Sequence, residues 1–459
     1  MNLIQYTSEF KKNLRLAYPV MLGQLGHVLV GFADNIMVGE LGPAPLAAVS
    51  LANSLAFIAF SAGIGFTLAI TPLIAEADSE NNIENGQRYF QHGILMSTVL
   101  GVVLCLVLFL MKPLMSHMSQ PEEVVAYALP YFDIITVSMI PLLVFQAYKQ
   151  FSDGMSQTKY AMRAAIYANL INIALNYVLI YGKFGFPRLE LIGAGWGTLI
   201  SRVFMLVFIM YMIHSKKVFA RFIAPIKFSQ MKKTVLKKVF DLGYPSAIQM
   251  LFEIGIFGTA IILSGVIGTN AQAANQISLN LATMTFMIAI GLGVTATVRV
   301  GNQKGLKKYV DLKRIAVSVF ILMLIIDVVF AVGFIALKDI LPYAYIDDIE
   351  VIEIASSLLV IAGLFQISDG MQVVFLGALR GLQDVIYPMW ATFVSYWVIG
   401  FPICYYLGLK TELGSMGVWI GLLVGLTASA ILLYLRFRKL SQNLILLPEK
   451  EIESNEQQV

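Results

Sequence analysis

Three acidic residues lie inside long apolar runs of this chain: Asp34 in "GFADNIMVG", Glu253 in "FEIGIF" and Asp369 in "QISDGMQVV". An ionised carboxylate placed in hydrocarbon costs at least ~2.5–3.5 kcal/mol. No Lys or Arg stands near Glu253 or Asp369 within its own apolar run. Because unpaired acids in such surroundings take up a proton or bind a cation, the pattern predicts sites that bind and release H+ or Na+.

The elements that must position these acids are membrane helices. The chain has 459 residues, of which 58% are hydrophobic and 13% are charged, whereas soluble proteins contain about 25% charged residues. Apolar runs recur along the whole sequence, each long enough to cross a bilayer core of ~30 Å. We therefore predict an all-α polytopic membrane protein with twelve transmembrane helices. The runs fall near residues 14–39, 46–74, 88–112, 122–148, 160–183, 190–215, 235–266, 270–300, 310–337, 349–377, 385–409 and 414–437.

Basic residues are distributed unevenly between the two sides of these predicted helices. If the N-terminus is cytoplasmic, the basic loops Lys216–Lys238 and Lys304–Arg314 are cytoplasmic as well. Cytoplasmic loops of membrane proteins are enriched in Lys and Arg. The pattern predicts a multi-pass plasma-membrane protein with both termini in the cytoplasm. The basic residues left for the opposite side are Lys112, Lys183, Arg188, Lys338 and Lys410.

The sequence contains an internal repeat. "LAYPVMLGQLGHVLVGFADNIMVGELG" aligns without gaps with "LGYPSAIQMLFEIGIFGTAIILSGVIG", so that Pro19 matches Pro245. Two parallel repeats in one membrane are an architecture of alternating-access transporters. We predict two pseudo-symmetric six-helix lobes, 1–215 and 235–440, a cytoplasmic linker loop, 216–234, and a disordered cytoplasmic tail, 441–459. Asp34 aligns with Ala260, and this asymmetry favours a functional role for the acid over a role in the duplicated scaffold.

Four segments resemble the multidrug and toxic compound extrusion (MATE) family, in its bacterial branch. They are the first repeat segment, "NLINIALNYVLIYG", "FEIGIF" and "QISDGMQVVFLGALRGLQD". The resemblance covers nearly the whole chain. It implies two lobes that form a V around a central cavity, in the inner membrane of a bacterium. It also implies export of cationic, amphipathic compounds in exchange for Na+ or H+.

The resemblance also implies roles for particular residues. Glu253 and Asp369 match the cation-coupling site of the second lobe, and Asp34 matches a proton, cation or drug site of the first. Asn172, Asn176 and Thr198 match the cluster around that first site, although the two asparagines, one helical turn apart, could instead only join helices at ~0.6 kcal/mol per hydrogen bond. Pro19 should bend the first helix because it removes a backbone hydrogen bond. Positions that can line the drug cavity or its outer mouth are Ser54, Gln276, Asp347 and Asp348.

Other polar residues have simpler interpretations. Asp347 and Asp348 could equally belong to a solvated loop. For Asp133 and Asp327, interhelical hydrogen bonding or placement at a helix end is expected. Arg202 should extend its side chain towards a membrane interface.

Two other classes of function are alternatives to transport of cations. A membrane enzyme would need a nucleophile–base pair, a set of metal ligands or a phosphate loop, and the sequence contains none of these motifs. A lipid or polysaccharide-precursor flippase of related architecture is the alternative, but it would favour a strongly cationic cavity, whereas the embedded charges here are mostly acidic. We expect a monomer in the lipid bilayer that binds small cationic drugs or toxic metabolites, no nucleic acid and no cofactor besides the coupling Na+ or H+.

Overall fold

A computed structural model describes residues 4–118, 120–225 and 231–456, with side chains up to residue 446. This part of the chain is helical and includes twelve helical spans long and apolar enough to cross a membrane, as the sequence predicts. We label the spans in chain order: α1 Ile4–Gly39, α2 Pro43–Ser79, α3 Ile83–His117, α4 Glu122–Gly154, α5 Thr158–Tyr181, α6 Glu190–Ser215, α7 Lys233–Ile267, α8 Thr269–Gly305, α9 Tyr309–Ala336, α10 Ile349–Gly381, α11 Ile386–Leu409 and α12 Ser415–Leu446.

The chain forms two compact units. The N unit comprises Leu22–Ala247, and the C unit comprises Met1–Met21 together with Ile248–Val459. The two divisions therefore fall inside α1 and α7, two residues after Pro19 and two residues after Pro245. These are equivalent positions of the internal repeat, so the duplication is visible in the way that the chain packs as well as in its sequence. The repeat alone predicts a boundary in the 216–234 loop. It does not reveal the exchange of segments seen here, in which the beginning of α1 belongs to the C unit and the beginning of α7 belongs to the N unit.

Two glycines at equivalent positions of the repeat allow the beginnings of α1 and α7 to pack closely against neighbouring helices. A Cβ atom built on Gly291 of α8 would lie 2.9 Å from the carbonyl oxygen of Ala17 in the C unit. A Cβ atom built on Gly65 of α2 would lie 2.9 Å from the carbonyl oxygen of Ser246 in the N unit. Small residues allow membrane helices to approach closely. Glycine is thus required at the same place in both repeats, where the beginning of α1 or α7 packs against its neighbour.

Polar contacts add to this packing at the beginning of α1. Glu9 forms an ion pair with Arg299 of α8 at 2.7 Å. The Asn13 amide donates to the Ser318 hydroxyl of α9 at 3.1 Å, and that hydroxyl donates to the carbonyl oxygen of Tyr6 at 2.7 Å. The ion pair between Glu9 and Arg299 is the strongest of these contacts, because charged hydrogen bonds are stronger than neutral ones. They attach the N-terminal segment to the C unit.

The described part of the linker packs on the N unit. Phe219 and Phe222 are fully buried, and Phe222 occupies the space that a side chain at Gly86 would take. The Gln91 amide donates to the carbonyl oxygen of Ala224 at 3.2 Å. Residues 226–230 of the predicted linker lie outside the described residues.

The last helix is longer than the sequence predicts. It begins at Ser415 and ends at Glu456, within the segment 441–459 that was predicted to be a disordered tail. Leu440 and Leu444 pack against the C-unit core, beside the buried ring of Phe437. This apolar contact explains why the helix continues beyond residue 440.

Candidate functional site

In the N unit, the structure brings together three of the predicted residues. The side-chain nitrogen of Asn176 donates to Oδ1 of Asp34 at 2.6 Å and to Oδ1 of Asn172 at 3.3 Å. Asp34 comes from α1 and both asparagines from one face of α5. The amide oxygen of Asn176 is buried and has no hydrogen-bond partner among the described atoms. The cluster therefore combines a carboxylate with an unsatisfied amide oxygen, which together suit a cation.

The cluster extends to α6. The Asn172 amide donates to the Ser201 hydroxyl at 3.5 Å, and this hydroxyl donates to the main-chain oxygen of Thr198 at 2.9 Å. Thr198 is thus linked to the cluster through its carbonyl group and Ser201. Ser201 is not among the site residues predicted from the sequence. Gly197 allows the approach of α5, because a Cβ atom there would overlap the Asn176 amide. A glycine one position before Thr198 is the sequence signal that could have indicated this contact.

Arg202 does not extend to a membrane interface, so that prediction was wrong. It lies in the middle of α6 and donates to the hydroxyl of Ser138, in the middle of α4, at 2.6 Å. Its guanidinium group lies 4.6 Å from the centre of the Phe60 ring, and its charge acts on Asp34. A hydroxyl partner and an aromatic face inside the unit replace the water that an interface would supply.

In the C unit, Glu253 belongs to a chain of hydrogen bonds. Its Oε2 accepts from the Gln249 amide at 2.9 Å, and the Gln249 amide oxygen accepts from Nη2 of Arg380 at 2.6 Å. Gln249 and Glu253 lie one turn apart on α7, and Arg380 lies at the end of α10. No basic residue stands near Glu253 in its own apolar run of the sequence. In the structure, however, Arg380 of α10 connects to Glu253 through Gln249.

Asp369, on α10, is buried, with 4% of its surface exposed. Its Oδ1 has no hydrogen-bond partner in the described structure. The charge of Glu253 acts on Asp369, so the two predicted coupling residues are electrostatically connected. A buried carboxylate oxygen without a partner is costly unless a proton or cation satisfies it.

Asp327 is a further buried acid at this place, and the interhelical hydrogen bond expected for it is not seen in the described structure. It lies inside α9, is 1% exposed, and its Oδ2 has no hydrogen-bond partner in the described structure. Its carboxylate contacts the backbone of Gly370, next to Asp369, and the charge of Asp369 acts on it. The sequence of α9 alone does not indicate this contact of Asp327 with α10. Asp133, by contrast, forms an ion pair with Lys112 at 2.7 Å, as interhelical bonding predicts.

An irregular helix segment contributes one more polar group. Residues Val394–Gly400 of α11 form a π-helix, a distortion that is frequent at functional sites. The hydroxyl of Tyr396, in this segment, is fully buried and donates to the Gln372 amide oxygen of α10 at 2.6 Å. Gln372 lies one turn after Asp369. The π-helical segment therefore places the Tyr396 hydroxyl near Asp369. Neither Tyr396 nor Gln372 is among the site residues predicted from the sequence.

The four positions predicted for a drug cavity are exposed. Ser54 donates to the carbonyl oxygen of Ser50, and Gln276 donates to Asn280, each within its own helix. Asp348 caps α10, because its Oδ1 accepts from the backbone nitrogen atoms of Glu350 and Val351 at 3.0 and 3.3 Å. This capping explains the presence of one acid of the pair. A role of these residues in drug binding stays a prediction.

Comparison with known proteins agrees with the twelve-span architecture. The family model MatE matches residues 19–178 and 245–406, which are the two repeats. The chain is 31% identical to "Multidrug resistance protein NorM" of Photobacterium profundum, over 94% of this chain and 96% of that protein. It is 32% identical to "Multidrug resistance protein MdtK" of Yersinia pseudotuberculosis, over 95% of this chain and 97% of that protein.

Solved structures show the same fold. A eukaryotic MATE transporter, AtDTX14, superposes with a TM-score of 0.86 at 20% identity, over 96% of this chain and 99% of the other. A MATE structure described as the bent conformation superposes with a TM-score of 0.85 at 21% identity, over 96% and 97% of the two chains. The full-length match to bacterial relatives, the match of both repeats to the family model and the shared fold lead to one conclusion: this chain is a member of the MatE family, a membrane transporter and not an enzyme.

Proposed function

We propose that the protein is a secondary active antiporter that exports cationic, amphipathic compounds across the bacterial inner membrane in exchange for Na+ or H+. The observation that supports the proposal most strongly is that the Asp369 carboxylate is buried and incompletely hydrogen-bonded. This carboxylate is 4% exposed, one of its oxygens lacks a hydrogen-bond partner in the described structure, and Glu253 acts on it as a second acid. Two acids in an apolar unit need a proton or a cation to balance them.

Each unit supplies a different arrangement for this exchange. In the N unit, Asp34 is held by Asn176 at 2.6 Å, and a fixed cation, Arg202, acts on it without forming an ion pair within 4 Å in the described structure. The carboxylate remains available to a mobile positive charge. In the C unit, Arg380 reaches Glu253 only through Gln249. Mobile cations therefore have acidic partners in both units.

The names of the relatives support the class of exported compound. Proteins named for multidrug resistance match the chain over 94% or more of its length. Buried acids favour positively charged substrates, because a cation can replace the proton or Na+ that balances the carboxylate. An ion that enters the cell at a membrane potential of 100 mV supplies ~2.3 kcal/mol from the potential alone. Export of a monovalent organic cation costs the same electrical energy, so a one-for-one exchange must be driven by the concentration gradient of Na+ or H+.

The proposal is tested with purified protein in liposomes loaded with ethidium, a fluorescent organic cation. A Na+ gradient is imposed without a pH gradient, and a pH gradient is then imposed without Na+. We expect ethidium efflux under at least one gradient and loss of that efflux in Asp369→Asn. Absence of efflux under both gradients would contradict the proposed function, and the gradient that works identifies the coupling ion.

A further inference from the structure

A glutamine separates the acid Glu253 from the base Arg380 in the C unit. Gln249 is 2% exposed and contacts both: its oxygen lies 2.6 Å from Nη2 of Arg380, and its nitrogen lies 2.9 Å from Oε2 of Glu253. These distances are those of charge-assisted hydrogen bonds. The three side chains form one continuous chain of donors and acceptors, which we call the Arg380 relay.

The chemistry of the three groups permits one direction for the relay. A guanidinium group only donates, so it fixes the oxygen of the Gln249 amide towards itself. The amide nitrogen must then point to Glu253. An ionised carboxylate only accepts, and this is the group that the nitrogen suits. The permanent charge of Arg380 therefore determines which atom Gln249 presents to Glu253, although Arg380 and Glu253 are not themselves hydrogen-bonded in the described structure.

We propose that Gln249 is a positioning residue for the coupling cation, and that it transmits the orientation set by Arg380 to the Glu253 carboxylate. The relay holds Oε2 and leaves Oε1 for a cation. It also keeps Arg380 one amide away, so that the fixed positive charge does not occupy the position of the mobile one. This inference rests on the proposed function, because it assigns the affinity of the same site to residues outside the predicted set.

The nearby charges do not offer another partner for the relay. The charge of Glu253 acts on Asp369, on α10, as a like charge, and no hydrogen bond joins the two side chains in the described structure. Arg299 of α8 is paired with Glu9, and Arg436 of α12 is paired with Asp384 at 2.6 Å. These guanidinium groups are therefore engaged elsewhere. In the described structure, Arg380 is the basic group whose charge acts on Glu253.

The decisive variant is Gln249→Met, which keeps the length of the side chain and adds no charge, but removes both the donor to Glu253 and the acceptor for Arg380. In liposomes driven by the gradient that works for the wild type, we expect the coupling-ion concentration for half-maximal ethidium efflux to rise about tenfold. The maximal rate should stay within about twofold, because saturating cation compensates for weaker binding. Gln272→Met, the same substitution at an exposed position of the same unit, serves as the matched control and should leave both values unchanged.

A second variant tests what the relay contributes to folding. Gln249→Glu combined with Glu253→Gln restores a donor–acceptor chain to Arg380 and the original net charge, but it moves the carboxylate by one turn. We expect this double variant to recover the thermal stability of the wild type, whereas a loss of cation affinity in it follows from Glu253→Gln alone. Weakened affinity in Gln249→Met at a thermal stability close to that of the wild type separates positioning from folding, and an affinity that falls only together with stability would show that the relay is only structural.

The outcomes distinguish the two proposals. An unchanged half-saturating concentration in Gln249→Met, with a wild type that the gradient drives, would overturn the inference and leave the proposed function intact. A wild-type protein that neither gradient drives would overturn the proposed function and the inference with it.

Discussion

Asn176 donates a hydrogen bond of 2.6 Å to Asp34 across the α1–α5 contact of the N unit. The same nitrogen contacts Asn172 at 3.3 Å, so one amide group holds two acceptors from different helices. The acid is thereby fixed in place without being neutralised. An amide partner leaves the negative charge available, whereas a Lys or Arg partner would cancel it.

Removal of that charge should weaken cation binding. We expect Asp34→Asn to reduce the affinity of the purified protein for a fluorescent cation such as rhodamine 6G about tenfold. A carboxylate binds cations when it is ionised, so wild-type affinity should rise with pH and the variant should show a flat profile. Fluorescence titration across pH measures both effects. Glu40→Gln, at an exposed acid one residue after the end of the same helix, should behave as wild type. Equal pH profiles for Asp34→Asn and wild type would return Asp34 to a structural role.

The acids of the C unit should be essential for export. We expect Glu253→Gln and Asp369→Asn to abolish nearly all drug resistance in cells, because each amide keeps the size of the side chain and removes the charge. Membrane abundance and thermal unfolding of the variants should stay close to wild type. Asp339→Asn, at an exposed acid beside Lys338, is the control. Normal resistance in both C-unit variants would mean that the coupling site has been assigned to the wrong residues.

The contact between Asp327 and Gly370 predicts a stability effect. A Cβ atom at position 370 would lie 2.6 Å from Oδ1 of Asp327. We expect Gly370→Ala to destabilise the detergent-solubilised protein by about 1–3 kcal/mol through overpacking. Gly258→Ala is the matched control, since a Cβ atom at Gly258 meets no atom within 4 Å. Thermal unfolding compares the two, and a midpoint for Gly370→Ala equal to that of the control would refute the contact.

Cysteine labelling tests the orientation in the membrane. The native cysteines Cys105 and Cys404 are buried and should give little background. Ser415, at the beginning of α12, is buried and thus unsuitable, whereas Glu412 in the preceding loop is exposed. We expect Glu412→Cys to react with an impermeant maleimide added to intact cells and Lys233→Cys to react only after lysis. Labelling of Lys233→Cys in intact cells, with Glu412→Cys labelled only after lysis, would show that the orientation is the reverse of the predicted one.

The sequence predicts the helices because hydrocarbon thickness fixes the length of an apolar run. It also predicts Asp34, Glu253 and Asp369, since a charge is conspicuous among apolar residues. These signals are local, and they need no knowledge of which helices touch.

Contacts between distant helices are the part that could not be predicted. Arg380 is on the same helix as Asp369, yet it reaches α7 through Gln249. Asp327 looks isolated on α9 until Gly370 of α10 is placed against it. Arg202 depends on Ser138 and Phe60, which come from two other spans. In each case, the contact depends on how the helices pack in three dimensions. Neither periodicity nor composition specifies that packing.

The divided helices α1 and α7 have a consequence for how such a chain could arise. Because the divisions after Met21 and Ala247 are equivalent in the repeat, each half of the chain supplies the first helical segment of the other half's compact unit. Two separate copies of an unduplicated half could complete each other in the same way, as a domain-swapped dimer. By the same geometry, neither fragment of a gene split within residues 226–230 would hold a complete unit, and coexpression of both fragments should restore the missing segments by exchange.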